Sequence, residues 1–278
     1  MTENDDDPVL LRSVAERLAT EAADFVRRRR VEVFGDPPPN AGAAVRAKST
    51  PTDPVTVVDT ETERLLRDRL AELRPGEHIL GEEEGGSTGG RDGLTWVLDP
   101  IDGTVNFVYG IETYAVSVAA QRDGVSLAGA VANVPGGVLY SAALGHGARV
   151  QRAGVTTPLE VSSAIELSMS LVGTGFSYAP EQRIQQGEVL TGMLPVVRDV
   201  RRMGSCALDL CMVAAGQLDA YYEEGVHVWD WAAAALIAAE AGASLRLPPA
   251  DEGAGLIVAA APGIAAALAD ALRHSGAL

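Results

Sequence analysis

The chain has 278 residues, 47% of them hydrophobic and 22% charged, and a net charge of −16 at neutral pH. That length supports one large domain or two smaller ones around substantial cores, and the acidic balance argues against nucleic-acid backbone binding as the main activity. No apolar stretch approaches the ~18 uninterrupted residues of a membrane helix, and the polar, acidic segment from Met1 to Pro8 does not read as a secretory signal.

From Leu11 to Val26, apolar residues recur at Leu11, Val14, Ala15, Leu18, Ala22, Phe25 and Val26, a stripe that predicts an amphipathic helix. The basic block Arg27 to Arg30 reads as the solvated end of that helix, where cations complement the dipole. Phe34 to Ala47 is rich in Pro, Gly and Ala and reads as a loop. A second helix is expected from about Thr60 to Leu73, with Leu66, Leu70 and Leu73 inward and Pro75-Gly76 as its stop. Ile79-Leu80 follows as a short strand, then an acidic turn and a loop from Gly85 to Gly93.

Thr95 to Val150 changes to short apolar runs punctuated by Asp123-Gly124, Pro135-Gly136-Gly137 and Gly145-His146-Gly147, which suggests an antiparallel meander. Helices return at Ala207 to Ala215 and Trp231 to Ala241, between short strands such as Met169 to Val172 and Leu256 to Ala259. This alternation predicts a second α/β layer, with a boundary near residue 150. Cys206 and Cys211 stand five positions apart, facing different ways on a helix, so both are expected reduced and the protein cytoplasmic.

Four segments carry the chemistry. Trp96 to Thr104, reading Trp-Val-Leu-Asp-Pro-Ile-Asp-Gly-Thr, delivers two carboxylates, a turn glycine and a hydroxyl to one point at the end of a strand-like run. Two acids that close repel unless a cation neutralises them, and oxygen-only ligands suit Mg²⁺. The others are Asp53 to Asp59, Gly81-Glu82-Glu83, and Val228-Trp229-Asp230-Trp231-Ala232-Ala233. Each has an ordinary structural reading. Asp59 and Asp230 stand where helix N-caps would stand, Glu82 and Glu83 could be solvated loop acids, and His227 reads as a partly buried structural histidine.

In conjunction and in this order, these segments resemble the inositol monophosphatase family, within the Mg²⁺-dependent, Li⁺-sensitive sugar phosphatases. The likeness spans nearly the whole chain, and Arg201-Arg202-x-Gly204-Ser205 with Asp219-Ala-Tyr-Tyr-Glu223 resembles its bacterial SuhB-type members. The resemblance implies an α/β (α+β) layered αβαβα sandwich, the fold shared with fructose-1,6-bisphosphatases. Its first part, 1–150, would carry most metal ligands, and 151–278 would add Asp230 and substrate contacts.

The resemblance also implies roles. Glu82, Asp99 and the carbonyl of Ile101 would hold one Mg²⁺, and Asp99, Asp102 and Asp230 a second. Thr104, supported by Asp59, would join Glu82 in activating water. The amides of Gly103 and Thr104 would meet the phosphate, while Glu223 and the Cys206 position would meet a polyol ring. Lys48 would lie on a mobile loop near the metals, and Arg201 would add charge near the substrate. Cys206 departs from the small alanine or glycine usual there, and Glu84 is not assigned to metal.

The activity so implied is hydrolysis of inositol 1-phosphate by a homodimer. The same metal motif serves fructose-1,6-bisphosphate, histidinol phosphate and sulfonucleotide phosphatases, and SuhB-type members also act as partners of the transcription machinery. These remain alternatives.

Overall fold

A computed structural model describes residues 6–35, 45–48, 54–86, 93–248 and 254–278. Residues 1–5 of the acidic N-terminus, most of the expected 34–47 loop and residues 87–92 of the expected 85–93 loop lie outside that set. Among the described residues, no helix is long and apolar enough to cross a membrane.

Helix α1 (Pro8–Phe34) starts on Asp7, whose carboxylate accepts the Val9 amide at 2.8 Å, with Pro8 pre-set for the first turn. It runs eight residues past Val26, so the arginine block lies inside the helix rather than at a solvated end. There the block bridges outward. Arg27 and Arg30 donate to the carbonyls of Val134 and Phe107, and Arg29 pairs with Glu61 and Glu32. A guanidinium's five donors can satisfy loop and helix carbonyls that would otherwise need water, while Arg27 and Arg28 stay exposed.

Strands β1 (Val45–Ala47) and β2 (Pro54–Thr56) form a two-stranded antiparallel pair leading into α2 (Val57–Leu73). Then come β3 (His78–Gly81), β4 (Gly85–Gly86), β5 (Leu94–Asp102) and the one-and-a-half-turn α3 (Thr104–Tyr109). Strands β6 (Ala115–Arg122), β7 (Val125–Asn133), β8 (Val138–Ala143), β9 (Ala148–Arg152) and β10 (Val155–Pro158) complete an eight-stranded sheet in the order 10-9-8-7-6-5-3-4. From β5 to β10 it is the expected meander, continuing past residue 150 to Pro158.

The second half contains β11 (Leu171–Thr174), α4 (Pro180–Met193), β12 (Asp199–Arg201), α5 (Cys206–Ala214), β13 (Ala220–His227), α6 (Val228–Glu240), β14 (Ser244–Arg246), β15 (Ala254–Ala260) and α7 (Ala265–His274). Its five strands order as 12-11-13-15-14. Strand β11 begins two residues later than expected, because Leu167–Met169 closes into a 3₁₀ turn.

Strand periodicity sorts the core into three slabs. Trp96, Leu98, Val116 and Val118 face α1 and α2, while Val97, Ala115, Ala119 and Val131 face α5 and α6. The same helices receive Tyr221, Ile257 and Ala259 from the smaller sheet, whose alternate residues Tyr222, Val258 and Ala260 face α4 and α7. Five layers result, helix–sheet–helix–sheet–helix, with β5 buried along all nine residues.

The middle layer must be thin, and α6 achieves this with Ala232 to Ala235 and Ala238. At Gly129 of β7 an added Cβ would lie 2.7 Å from the Cα of Ala233, so helix and sheet backbones touch there. Gly129→Val is therefore expected to destabilise the fold by about 1–3 kcal/mol through overpacking, read as a lowered urea midpoint with an unchanged slope.

Candidate active site

Asp99 and Asp102 lie on one strand three residues apart, and regular alternation would send them to opposite faces. A bulge brings them back together. Asp99 pairs with Ser117 and Asp102 with Ala115, so three steps on β5 match two on β6. Asp99 then turns to accept the Ile101 amide at 3.0 Å. Asp102 accepts the Ser205 hydroxyl at 2.5 Å and the Ala207 amide at 2.7 Å, tying the strand to the start of α5.

Asp230 arrives from the far side of the site on the first turn of α6. It is the third residue of the helix rather than its N-cap: its carboxylate reaches back to the amide of His227 at 2.6 Å. Asp59 does the same on α2, accepting the Thr56 amide at 3.0 Å while Thr56 caps the helix. Both helices start three residues earlier than expected, because a capping box places the acid inside the first turn. Ligand atoms of Asp99, Asp102 and Asp230 all lie within 4.8 Å of one another, the one such group among the described residues.

Glu82 follows β3, which runs parallel to β5 with Gly81 opposite Leu98. It stands beside Asp99 at the cavity rim, just outside the tight trio, with Lys48 Nζ 2.7 Å from its carboxylate and 2.5 Å from that of Glu83. Glu84 is exposed and pairs with Arg64. Beneath the trio, the Thr104 hydroxyl lies 3.0 Å from the Ile101 carbonyl and 3.2 Å from Asp59 Oδ1, and Thr56 bonds the other oxygen of Asp59.

The electrostatics follow from this crowding. Burial, then the charges of Glu82, Asp102 and Asp230, push the Asp99 carboxyl well above its ordinary range. Asp230 is raised in the same way by burial and by Asp102. Burial lifts Asp102 to about 7 against its two hydrogen bonds, and lifts Asp59 to about 7 against Thr56. Burial also disfavours the charged form of Lys48, yet Glu82 and Glu83 hold it protonated with its pKa raised.

The trio opens into a cavity of about 580 Å³. Asp102, Gly103, Cys206, Glu223 and Asp230 line it, whereas Asp59, Asp99, Ile101 and Thr104 are buried behind that lining. Gly103 adopts a φ of +93° and leaves 3.0 Å between a would-be Cβ and two carbonyl oxygens, so the turn into α3 requires glycine. Glu223 accepts the Tyr221 hydroxyl and presses on Gly175, where a Cβ would fall 2.0 Å from its carboxylate. The Cys206 thiol is pushed well up by burial and by Glu223, Asp230 and Asp102, so it stays protonated; both cysteines are free.

Arg201 is not brought to the cavity. It pairs with Asp199 at 2.6 Å on the outer edge, and its neighbour Arg202 lines the wall instead. Adjacent residues leaving a strand point to opposite sides, and the spelling Arg-Arg does not say which one turns in. His227 is exposed at the rim, stacked on Trp229 at 4.8 Å, and not the half-buried histidine expected. Asp219 anchors β13 by accepting the Leu171 amide at 2.7 Å and the Ser162 hydroxyl. Phe176, Tyr178 and Gln182, which carry no motif, complete the wall.

A family model described as the inositol monophosphatase family matches residues 7–276. The chain belongs to the inositol monophosphatase family. It is 66% identical to an inositol-1-monophosphatase of Mycobacterium leprae, over 99% of this chain and 97% of that one. The inositol-1-monophosphatase SuhB of Mycobacterium tuberculosis is 62% identical over the same shares. A solved structure of M. tuberculosis SuhB superposes with a TM-score of 0.84 at 57% identity, covering 99% of this chain and 100% of that one. The protein is thus a phosphatase with the inositol monophosphatase fold.

An inositol monophosphatase implies a divalent metal, and the donor set fits one. Two buried carboxylates and the half-buried Asp230 converge with no cationic side chain bonded to any of them among the described residues, and every candidate donor is a hard oxygen. Asp99, Asp102, Asp230, Glu82 and the Ile101 carbonyl could hold such ions.

The same repulsion sets a pH dependence. Above about pH 4 the unfolded chain has released protons that Asp59 and Asp102, raised to about 7, still hold in the fold. The native state then binds more protons, so stability falls as pH rises from 5 to 8. The metal-free protein is expected to melt lower at pH 8 than at pH 5.5, with Mg²⁺ raising the midpoint more at pH 8. Differential scanning fluorimetry with and without chelator checks both.

Proposed function

We propose that this phosphatase is a Mg²⁺-dependent phosphomonoesterase that hydrolyses inositol 1-phosphate to inositol and phosphate. The observation carrying this reading is the convergence of Asp99, Asp102 and Asp230 within 4.8 Å at a cavity whose lining also presents Glu82 and Glu223. Phosphate monoester hydrolysis is among the slowest uncatalysed reactions, so charge neutralisation and positioning must supply most of the acceleration.

Bound at the carboxylates, divalent ions would supply Lewis acidity toward the ester and its leaving oxygen, and lower the pKa of water. The chain does the rest. Thr104 directs its hydroxyl hydrogen toward Ile101 O or Asp59, which leaves its lone pairs free to accept a hydrogen bond from the attacking water. Glu82 receives the proton that the water sheds. Amides of Gly103 and Thr104, at the start of α3, meet the phosphate oxygens. Glu223, held by Tyr221, accepts a ring hydroxyl, and Arg202 adds positive charge to the same wall. Cys206 packs beside the ring as a neutral thiol.

Phosphate release from a panel of sugar phosphates, with and without Mg²⁺, tests the reading. Inositol 1-phosphate is expected to be preferred and turnover to vanish with chelator. A tenfold preference for histidinol phosphate or fructose-1,6-bisphosphate would overturn the substrate. Asp99→Asn is expected to cost more than ~100-fold in kcat/KM, beyond the roughly 10–100-fold typical of an outer partner. The same substitution should raise the metal-free melting temperature, because it removes the cost of keeping a buried carboxyl away from its ionised form.

A further inference from the structure

Glu63 lies one helical turn after Asp59 on α2, and both are fully buried. Asp59 reaches Thr104 on one side of the candidate site. Glu63 reaches the other. Its Oε2 accepts the Glu83 amide at 2.7 Å, and its Oε1 accepts the Glu84 amide at 3.0 Å. Arg67, one further turn along, grips Oε1 through two nitrogens at 2.9 and 2.7 Å and donates to the Gly85 carbonyl at 2.6 Å.

These contacts bracket Glu82. Its own amide donates to Leu98 O at 3.2 Å, next to Asp99, and the two amides that follow it rest on Glu63. Gly81 makes the approach possible, since a Cβ there would fall 2.2 Å from Glu63 Oε1. A buried carboxylate is tolerated only when its lone pairs are filled, and here the acidic turn fills them.

We propose that Glu63 is a positioning residue for Glu82, so that one rigid helix sets both groups that orient the attacking water: Asp59 through Thr104, and Glu63 through the 82–84 turn. The proposal rests on the Mg²⁺ reading of Glu82. Glutamine at 63 presents one acceptor oxygen to two amides and turns an NH₂ group toward the other, so the turn loses its single arrangement. Alanine at 81 pushes the carboxylate off the turn without changing any charge.

The test is calorimetric titration of Mg²⁺ into metal-free wild type, Glu63→Gln, Gly81→Ala and Glu61→Gln. The last removes a surface partner of Arg29 on the same helix. Circular dichroism and melting of the metal-free proteins are recorded alongside. Glu63→Gln and Gly81→Ala are expected to weaken Mg²⁺ binding roughly 10–100-fold while folding is kept, with Glu61→Gln within about twofold of wild type. In turnover, the Mg²⁺ activation constant should rise more than kcat falls. Binding within about twofold of wild type in both variants would overturn the proposal. So would loss of the fold in both, which assigns Glu63 to stability alone. Wild type that takes up no Mg²⁺ would instead overturn the functional reading, and this one with it.

Discussion

Repulsion among buried carboxylates is the constraint around which this protein is organised. Asp99, Asp102 and Asp230 come from two strand positions and a helix far away in sequence, and each is pushed toward its protonated form by burial and by the others. No hydrophobic gain is made by assembling them. The surrounding layers must hold the three together, and a divalent ion is the partner that turns the cost into binding.

The fold holds them through backbone devices that recur. Capping boxes seat Asp59 and Asp230 inside the first turns of α2 and α6, each carboxylate folded back on the amide three residues before it. The bulge in β5 turns two acids to one side, and Asp102 locks onto the start of α5. The small residues of α6 then let the middle helix layer seat closely enough on the sheet for Asp230 to meet Asp99. Packing of the kind at Gly129 and Ala233 therefore bears on the carboxylate cluster as well as on the core.

Much of this was legible beforehand because it is periodic or local. The stripe of α1, the meander after Thr95 and the short strand at Leu256 to Ala259 depend on neighbours in sequence. The Asp-Pro-Ile-Asp-Gly-Thr and Trp-Asp motifs carry a resemblance that the full-length family match bears out. The misreadings fall where distant partners decide. Helix α1 continues past Val26 because Val134, Phe107 and Glu61 receive its arginines. Arg202 rather than Arg201 turns inward because of how β12 joins the smaller sheet.

The amino-acid order by itself determined the family, the apolar stripe of the first helix and the strand meander, since those depend on residue type and short spacing. Only the tertiary structure decided which arginine reaches the cavity, that His227 stands at its rim, and that Glu63 reaches the turn bearing Glu82. Those outcomes depend on strand register and on layers meeting across tens of residues of intervening chain, and no local pattern encodes them.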